Sequence, residues 1–253
     1  MYTNTSKAKL KSGETMFGCF VRYPDPTLIE VLGHMGWDFL VFDCEHGTSE
    51  PRDVENMVRA AELRAVTPIV RVPTNAQPII LRYMDTGAQG VQVPWVNTAA
   101  EAEAAVRSVK YGPRGIRGLA GIRANDFNQR VPLSEYVTFA NRETMIIIHI
   151  ETLDAVKQLP EIVKIDDIDV IFIGPTDLSH SAGVPGQLQH PDVQAIFQQI
   201  TETVLGSDKA LGIMVQNADG AKQWQERGAR YIAINFEALL GPAMRGYLQT
   251  VRA

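Results

Sequence analysis

The sequence predicts an α/β fold of the (β/α)8 barrel type, and two recurring features carry that reading. Eight short runs rich in Val, Ile and aromatic residues recur along the 253-residue chain, at 16–22, 39–44, 68–72, 90–96, 145–151, 169–174, 211–216 and 231–236. Longer stretches with apolar residues three or four positions apart fill the intervals. Continuous apolar runs of this length fit strands covered on both faces, as a parallel sheet beneath helices requires. Eight strands with intervening helices meet the count for a closed barrel, and about 250 residues is an ordinary size for one. A doubly wound open sheet is the structural competitor, because periodicity does not separate the two. No stretch has the composition of a linker, so residues 1–253 are expected to form a single domain.

Taken in order, the run at 16–22 follows a polar, lysine-bearing N-terminus. The run at 39–44 ends in Asp43 and Cys44, and the segment 51–63 then places Val54, Met57, Val58 and Ala61 on one helical face. The third run ends at Arg71 and Val72. After the fourth, Thr98 is a plausible start for a helix over 98–110. The stretch from Tyr111 to Leu133 has no regular pattern, and loops of that length in compact domains are usually functional or interfacial. The fifth run ends in His149, Ile150 and Glu151, and the sixth leads into Gly174, Pro175, Thr176 and Asp177. A helix over 192–205 begins near His190 to Asp192, before the last two strands.

Hydrophobic residues at 45% and charged residues at 21% exclude disorder and collagen-like order. A formal charge of -5 argues against a general nucleic-acid binder. No apolar run approaches the roughly 18 residues that span a bilayer, and the N-terminus lacks a signal-peptide core. Cys19 and Cys44 are the only cysteines and do not form a CxxC pair, so a reducing, cytoplasmic setting is expected. Gly115, Gly118 and Gly121 do not match either nucleotide-binding glycine pattern. Lys110, Arg114, Arg117, Arg123 and Arg130 make the same segment basic, which reads as a solvated or intersubunit surface rather than an RNA site. Packing accounts for Trp37 and Trp95.

Chemistry in parallel α/β folds gathers at the carboxyl ends of strands. Four of those ends carry acidic, basic or imidazole groups directly after apolar runs: Asp43, Glu45 and His46; Arg71; His149 and Glu151; Asp177. Glu151 and Asp177 follow adjacent strands, where two carboxylates would share a divalent cation such as Mg²⁺ or Mn²⁺; each could instead cap a helix. Arg71 could grip a substrate carboxylate, or pair internally with Asp43 or Glu45. His46 is a candidate acid–base group with Asp43, Glu45 or Asp85 to orient it. Gly174, Thr176 and Asp177 could turn backbone N–H groups toward an anion or form an ordinary strand-to-helix turn.

The ordered set of motifs resembles the HpcH/HpaI family of class II pyruvate aldolases. It comprises Asp43 to His46, Pro68 to Val72, Tyr111 to Gly118, Ile150 to Thr152 and Phe172 to Leu178, and the likeness runs from about Gly13 to about Glu237. The resemblance implies a TIM barrel of the phosphoenolpyruvate/pyruvate type, often with its last helix exchanged between copies, in a homo-oligomer suspected to be a hexamer. It implies Glu151 and Asp177 as ligands of a divalent metal (Mg, Mn or Co), and Arg71 with the amides near Thr176 and Asp177 as the holder of the 2-oxo acid. His46, supported by Asp43 and by Asp85 from a neighbouring subunit, would manage protons. The implied reaction is the reversible cleavage of a 4-hydroxy-2-oxo acid into pyruvate and an aldehyde through a metal-stabilised enolate. No lysine ends a candidate strand, as a Schiff-base aldolase would want.

His149 stands where many relatives have glutamine, on the same side of its strand as Glu151. It is either a metal ligand or a hydrogen-bonding support, and a candidate substrate contact. Phe20, Leu119, Met214 and Phe236 are carried over as the wall around the aldehyde. Arg117, Arg123 and Asn125 could contact hydroxyls or a distal carboxylate. Two other functions compete: a CoA-ester lyase of the citrate lyase or malyl-CoA lyase type, and a non-catalytic metabolite-binding barrel.

Overall fold

The computed structural model describes residues 3–252. Eight strands pair in parallel in sequence order: β1 (Met16–Val21), β2 (Phe39–Asp43), β3 (Thr67–Arg71), β4 (Gly90–Val93), β5 (Met145–Ile150), β6 (Val170–Ile173), β7 (Ala210–Val215) and β8 (Tyr231–Asn235). β8 closes on β1, so the open-sheet alternative falls. Helix α1 (Thr5–Lys11) precedes the barrel. Then α2 (Pro26–Gly33), α3 (Pro51–Leu63), α4 (Gln77–Met84), α5 (Ala99–Val109), α6 (Leu133–Glu143), α7 (Leu153–Ile162), α8 (Pro175–Ser181), α9 (Pro191–Leu205) and α10 (Ala218–Glu226) connect strands, and α11 (Phe236–Arg252) follows β8.

Alternation along the strands builds two cores. Phe20, Phe39, Ile69, Ile147, Phe172 and Tyr231 fill the barrel interior. Leu40, Phe42, Val70, Ile148 and Ile171 face outward against helix residues such as Val54, Val106 and Leu159. The same parity carries Asp43, Arg71, Gln92, Glu151 and Gly174 to the inner side at the carboxyl end. Strand pairing thus specifies which polar residues can meet.

Helix starts follow local chemistry. The Thr98 hydroxyl accepts from the Glu101 amide while the Glu101 carboxylate accepts from the Thr98 amide, a capping box at α5. Thr152 caps α7 through the Ala155 amide. Helix α11, like α10, has no buried residue; Leu240, Met244, Tyr247 and Val251 are exposed along it. Beside it lies an apolar groove lined by Phe17, Trp37, Ala221, Ile232 and Leu239.

The basic stretch after α5 is tied down internally. Arg114 pairs with Glu103 and Asp167, Arg117 with Asp85, and Arg123 with Glu62. It contains one 3-10 turn, Arg123–Asn128. Cys19 and Cys44 are both buried and free, and burial pushes each thiol up to about 12. Among the described residues no helix is long and apolar enough to cross a membrane.

Candidate active site

Asp43 ends β2 directly opposite Arg71 in the β2–β3 register. Arg71 Nε donates to Asp43 Oδ1 at 2.9 Å and Nη2 to Oδ2 at 2.7 Å, a bidentate pair. Nη1 lies 3.0 Å from Glu45 Oε2, and the guanidinium sits 5.1 Å from the centre of the Phe20 ring. Asp43 also accepts from Arg22 Nε at 3.1 Å and from the backbone amides of Glu45 and His46 at 3.2 Å. Burial alone would raise the Asp43 pKa. The Arg71 hydrogen bonds and charge, with the His46 amide and Arg22, hold it below the usual carboxylate range. Only glycine fits at Gly47, because a Cβ there would lie 2.1 Å from the Asp43 carbonyl oxygen.

Glu151 follows β5 and is 2% exposed. Its Oε1 accepts the backbone N–H of Trp95 at 2.6 Å, and Oε2 lies 3.4 Å from His149 Nδ1. Burial pushes its pKa up, but His149, the Trp95 amide and the Arg71 charge bring it below the ordinary value. A Cβ on Gly174 would lie 2.6 Å from Oε2, so the bare glycine at the head of α8 leaves that oxygen its place. Asp177 stands in the first turn of α8, half-buried, and Thr176 is exposed beside it. Neither acid caps a helix: Thr152 caps α7, and Gly174 is the residue before α8. First-turn amides such as those of Thr176 and Asp177 have no acceptor within their own helix.

His149 stacks on Phe172 with ring centres 4.7 Å apart. Its Nε2 lies 2.8 Å from Gln92 Oε1, and Gln92 Nε2 donates to the Tyr231 hydroxyl at 2.8 Å. A polar line from Tyr231 through Gln92 and His149 to Glu151 therefore crosses the apolar interior. It satisfies groups that burial would otherwise penalise.

Asp43, Glu45, Glu151 and Asp177 bring an excess of carboxylates to the same end of the barrel as Arg71 and Arg22. Burial, reinforced by the charge of Glu151, raises the Glu45 pKa despite Arg71. An all-oxygen donor set with surplus negative charge suits a hard divalent cation. Glu151 Oε2 lines the space that a Gly174 side chain would fill, while Oε1 is committed to the Trp95 amide. Among the described residues no three His, Cys, Asp or Glu side chains form a metal-binding group.

A family model described as HpcH/HpaI aldolase/citrate lyase matches residues 16–240. The chain belongs to that family. It is 36% identical over 233 residues to a hydroxypyruvate/pyruvate aldolase of Roseobacter denitrificans, covering 91% of this chain and 90% of that one. It is also 36% identical over 239 residues to a 4-hydroxy-2-oxo-heptane-1,7-dioate aldolase of Escherichia coli, covering 94% and 90%. Among solved structures, an HpcH/HpaI aldolase/citrate lyase family protein of Burkholderia cenocepacia superposes with a TM-score of 0.94 at 31% identity, over 99% of this chain and 100% of that one.

Not every residue read from the sequence gathers at the mouth of this HpcH/HpaI barrel. Phe20 lies under Arg71, and Met214 packs partly buried at the edge of the interior cluster. Phe236 opens α11, packs against the outer core and meets the Tyr23 ring edge-on. His46 is exposed; Asp43 holds its backbone rather than its ring, whose Nε2 is 3.9 Å from Glu45 Oε2. Asp85 caps the end of α4 and pairs with Arg117 Nη2 at 2.8 Å. Helices in a parallel barrel return to the amino ends of strands, so Asp85 and the nearby Leu119 lie opposite Glu151 within one chain. Leu119 is 49% exposed there. Asn125 is buried and bonds the Ala120 carbonyl and the Ile122 amide, while Arg123 bonds Glu62 and the Thr86 carbonyl, so neither faces the mouth of its own chain.

The reading of Trp95 as packing also needs correction. Trp95 is 50% exposed, and its indole N–H donates to Glu45 Oε1 at 3.1 Å. Its φ of 55° is left-handed, a conformation costing about 1–3 kcal/mol for a bulky residue. β4 ends at Val93, and Pro94 has no N–H to extend the ladder. The chain then turns sharply and aims the Trp95 amide at Glu151. Strand periodicity extends the run to residue 96, so this turn is invisible to it. Gln92 was the accessible signal: a lone amide between Val91 and Val93 in a buried strand.

Proposed function

We propose that the protein is a divalent-metal-dependent aldolase, a carbon–carbon lyase that reversibly cleaves a 4-hydroxy-2-oxo acid into pyruvate and an aldehyde. One observation carries this reading: the buried, amide-anchored Glu151 shares the barrel mouth with Arg71. The names of the Roseobacter and Escherichia relatives agree with it. Glu151 and Asp177 would hold the metal, with Mg, Mn and Co as the candidates. Bound there, the cation supplies Lewis-acid polarisation of the 2-oxo oxygen.

The chain's own residues do the rest. Arg71 donates two N–H groups to Asp43 and keeps Nη1 3.0 Å from Glu45 Oε2, and a guanidinium has five N–H groups. The N–H groups not donated to Asp43 would bind the 2-oxo acid, and the Asp43 clamp fixes the plane in which they point. The first-turn amides at Thr176 and Asp177 complete the carboxylate pocket. His46, on a turn braced by Asp43 and Gly47, takes the C4 hydroxyl proton as the C3–C4 bond breaks; a proton delivered to C3 completes pyruvate. Phe20 and Met214 exclude water from the reacting carbons.

We also read α11 as exchanged between copies. Leu240, Met244, Tyr247 and Val251 are exposed in their own chain, and the groove at Phe17, Trp37 and Ile232 offers an apolar seat. Assembly of this kind, to a hexamer, would bring Asp85 of one copy to the mouth of another.

The test is pyruvate release from 4-hydroxy-2-oxo acids, followed by coupled reduction to lactate. Release should stop after chelation and return with Mn²⁺ or Mg²⁺. Cleavage confined to CoA esters would instead place the chain with citrate and malyl-CoA lyases.

A further inference from the structure

We propose that Trp95 is a specificity-determining residue whose indole forms the wall against which the aldehyde half of the substrate packs, so that the enzyme prefers aldehydes with an apolar or aromatic substituent. The inference rests on the aldolase reading above and extends it to the acceptor.

The backbone supplies the first argument. The Trp95 amide reaches Glu151 only because the residue is left-handed, with φ of 55°. Glycine would present the same N–H there without strain. The large side chain is thus not needed for the clamp, and it makes the conformation harder to hold.

Burial does not explain the side chain either. Half of the residue's surface is open, so little hydrophobic stabilisation offsets the strain. What fixes the ring is one polar bond, from the indole N–H to Glu45 Oε1, while the other Glu45 oxygen lies against Arg71. This bond holds the ring beside the residues that receive the 2-oxo acid. Asn97 Nδ2 donates to the Trp95 carbonyl at 3.2 Å and braces the turn from behind.

The surroundings define the ligand class. Glu45, Arg71 and His46 make this side of the mouth polar, and the exposed indole is a flat apolar surface set among them. An aromatic face held in place by its own N–H is suited to an apolar or planar substituent, which gains by leaving water. A small hydroxyaldehyde has no comparable surface to bury.

The experiment measures kcat/KM for aldol addition of pyruvate to benzaldehyde and to glycolaldehyde, with Mn²⁺-loaded full-length protein. The variants are Trp95→Gly, which keeps the amide and favours the left-handed turn, and Trp95→Phe, which keeps an aromatic face. Wild type should favour benzaldehyde. Trp95→Gly should lower the benzaldehyde-to-glycolaldehyde ratio about tenfold, mainly through a higher KM for benzaldehyde, and Trp95→Phe should restore most of it. A ratio unchanged in Trp95→Gly would overturn the wall while leaving the aldolase intact. No aldol product in wild type, together with no exchange of pyruvate methyl protons, would overturn the aldolase reading and this proposal with it.

Discussion

Arg71 and Asp43 face each other across the β2–β3 ladder and share two hydrogen bonds, while Nη1 forms an ion pair with Glu45 at 3.0 Å. The pair is closed to solvent on the Asp43 side and nearly so on the Arg71 side. One buried carboxylate therefore sets the position of the guanidinium. The same carboxylate anchors the turn that bears His46.

Removing that carboxylate's charge should be costly. Asp43→Asn leaves Arg71 with Glu45 alone, and breaking a buried pair typically costs about 3–5 kcal/mol. Denaturant unfolding at neutral pH should show a loss at the lower end of that range, because Glu45 remains. Pyruvate binding should weaken with it. A loss below about 0.5 kcal/mol, the size typical of surface substitutions, would show that the pair is not structural.

The same group fixes a pH dependence. Asp43 has a lower pKa folded than unfolded, so the unfolded chain binds more protons across the acid range. Its stabilisation is fully present above the ordinary carboxylate pKa and is lost as pH falls through the depressed folded value. Wild-type stability measured by denaturant should fall on acidification below about pH 5. Asp43→Asn should show a shallower fall, and parallel acid limbs for the two proteins would refute the assignment.

Gly174→Ala addresses Glu151 without touching it. The new methyl would lie 2.6 Å from Oε2 and must displace the carboxylate. A displacement near 1 Å in a catalytic group can cost about 100-fold. We expect kcat/KM for aldol cleavage to fall by about that factor, with Mn²⁺ affinity reduced in calorimetry. Unaltered affinity would mean that Glu151 is not a metal ligand.

Helix α11 provides a test of assembly. Leu240→Asp with Met244→Asp should leave the barrel's circular dichroism unchanged and lower the mass measured by light scattering, since both residues are exposed in the single chain. An unchanged oligomer mass would remove the exchange reading.

The barrel and one half of the site were legible because they follow from alternation. Asp43, Arg71 and Glu151 are polar residues closing apolar runs, and parity alone directs all three inward. The strand limits moved by only a residue or so where hydrogen bonding ends, except at β4. There the periodic pattern continues through Val96, but Pro94 stops the ladder and Trp95 turns left-handed. No side-chain pattern encodes that turn, so the amide that holds Glu151 went unseen. Leu119 and Asp85 are a different case. Their position depends on which end of the barrel a helix returns to and on neighbouring copies, neither of which is a local property of sequence.

A single donor site for pyruvate, served by Glu151 and Arg71, can be tested without knowing the aldehyde. The measurement is exchange of deuterium from solvent into the pyruvate methyl group, followed by NMR, for metal-stripped protein and after addition of Mg²⁺, Mn²⁺ or Co²⁺. Exchange should require the metal, vanish in Glu151→Ala, and need far higher pyruvate concentrations in Arg71→Ala. Folded, metal-treated wild type that exchanges no faster than Glu151→Ala would contradict the account.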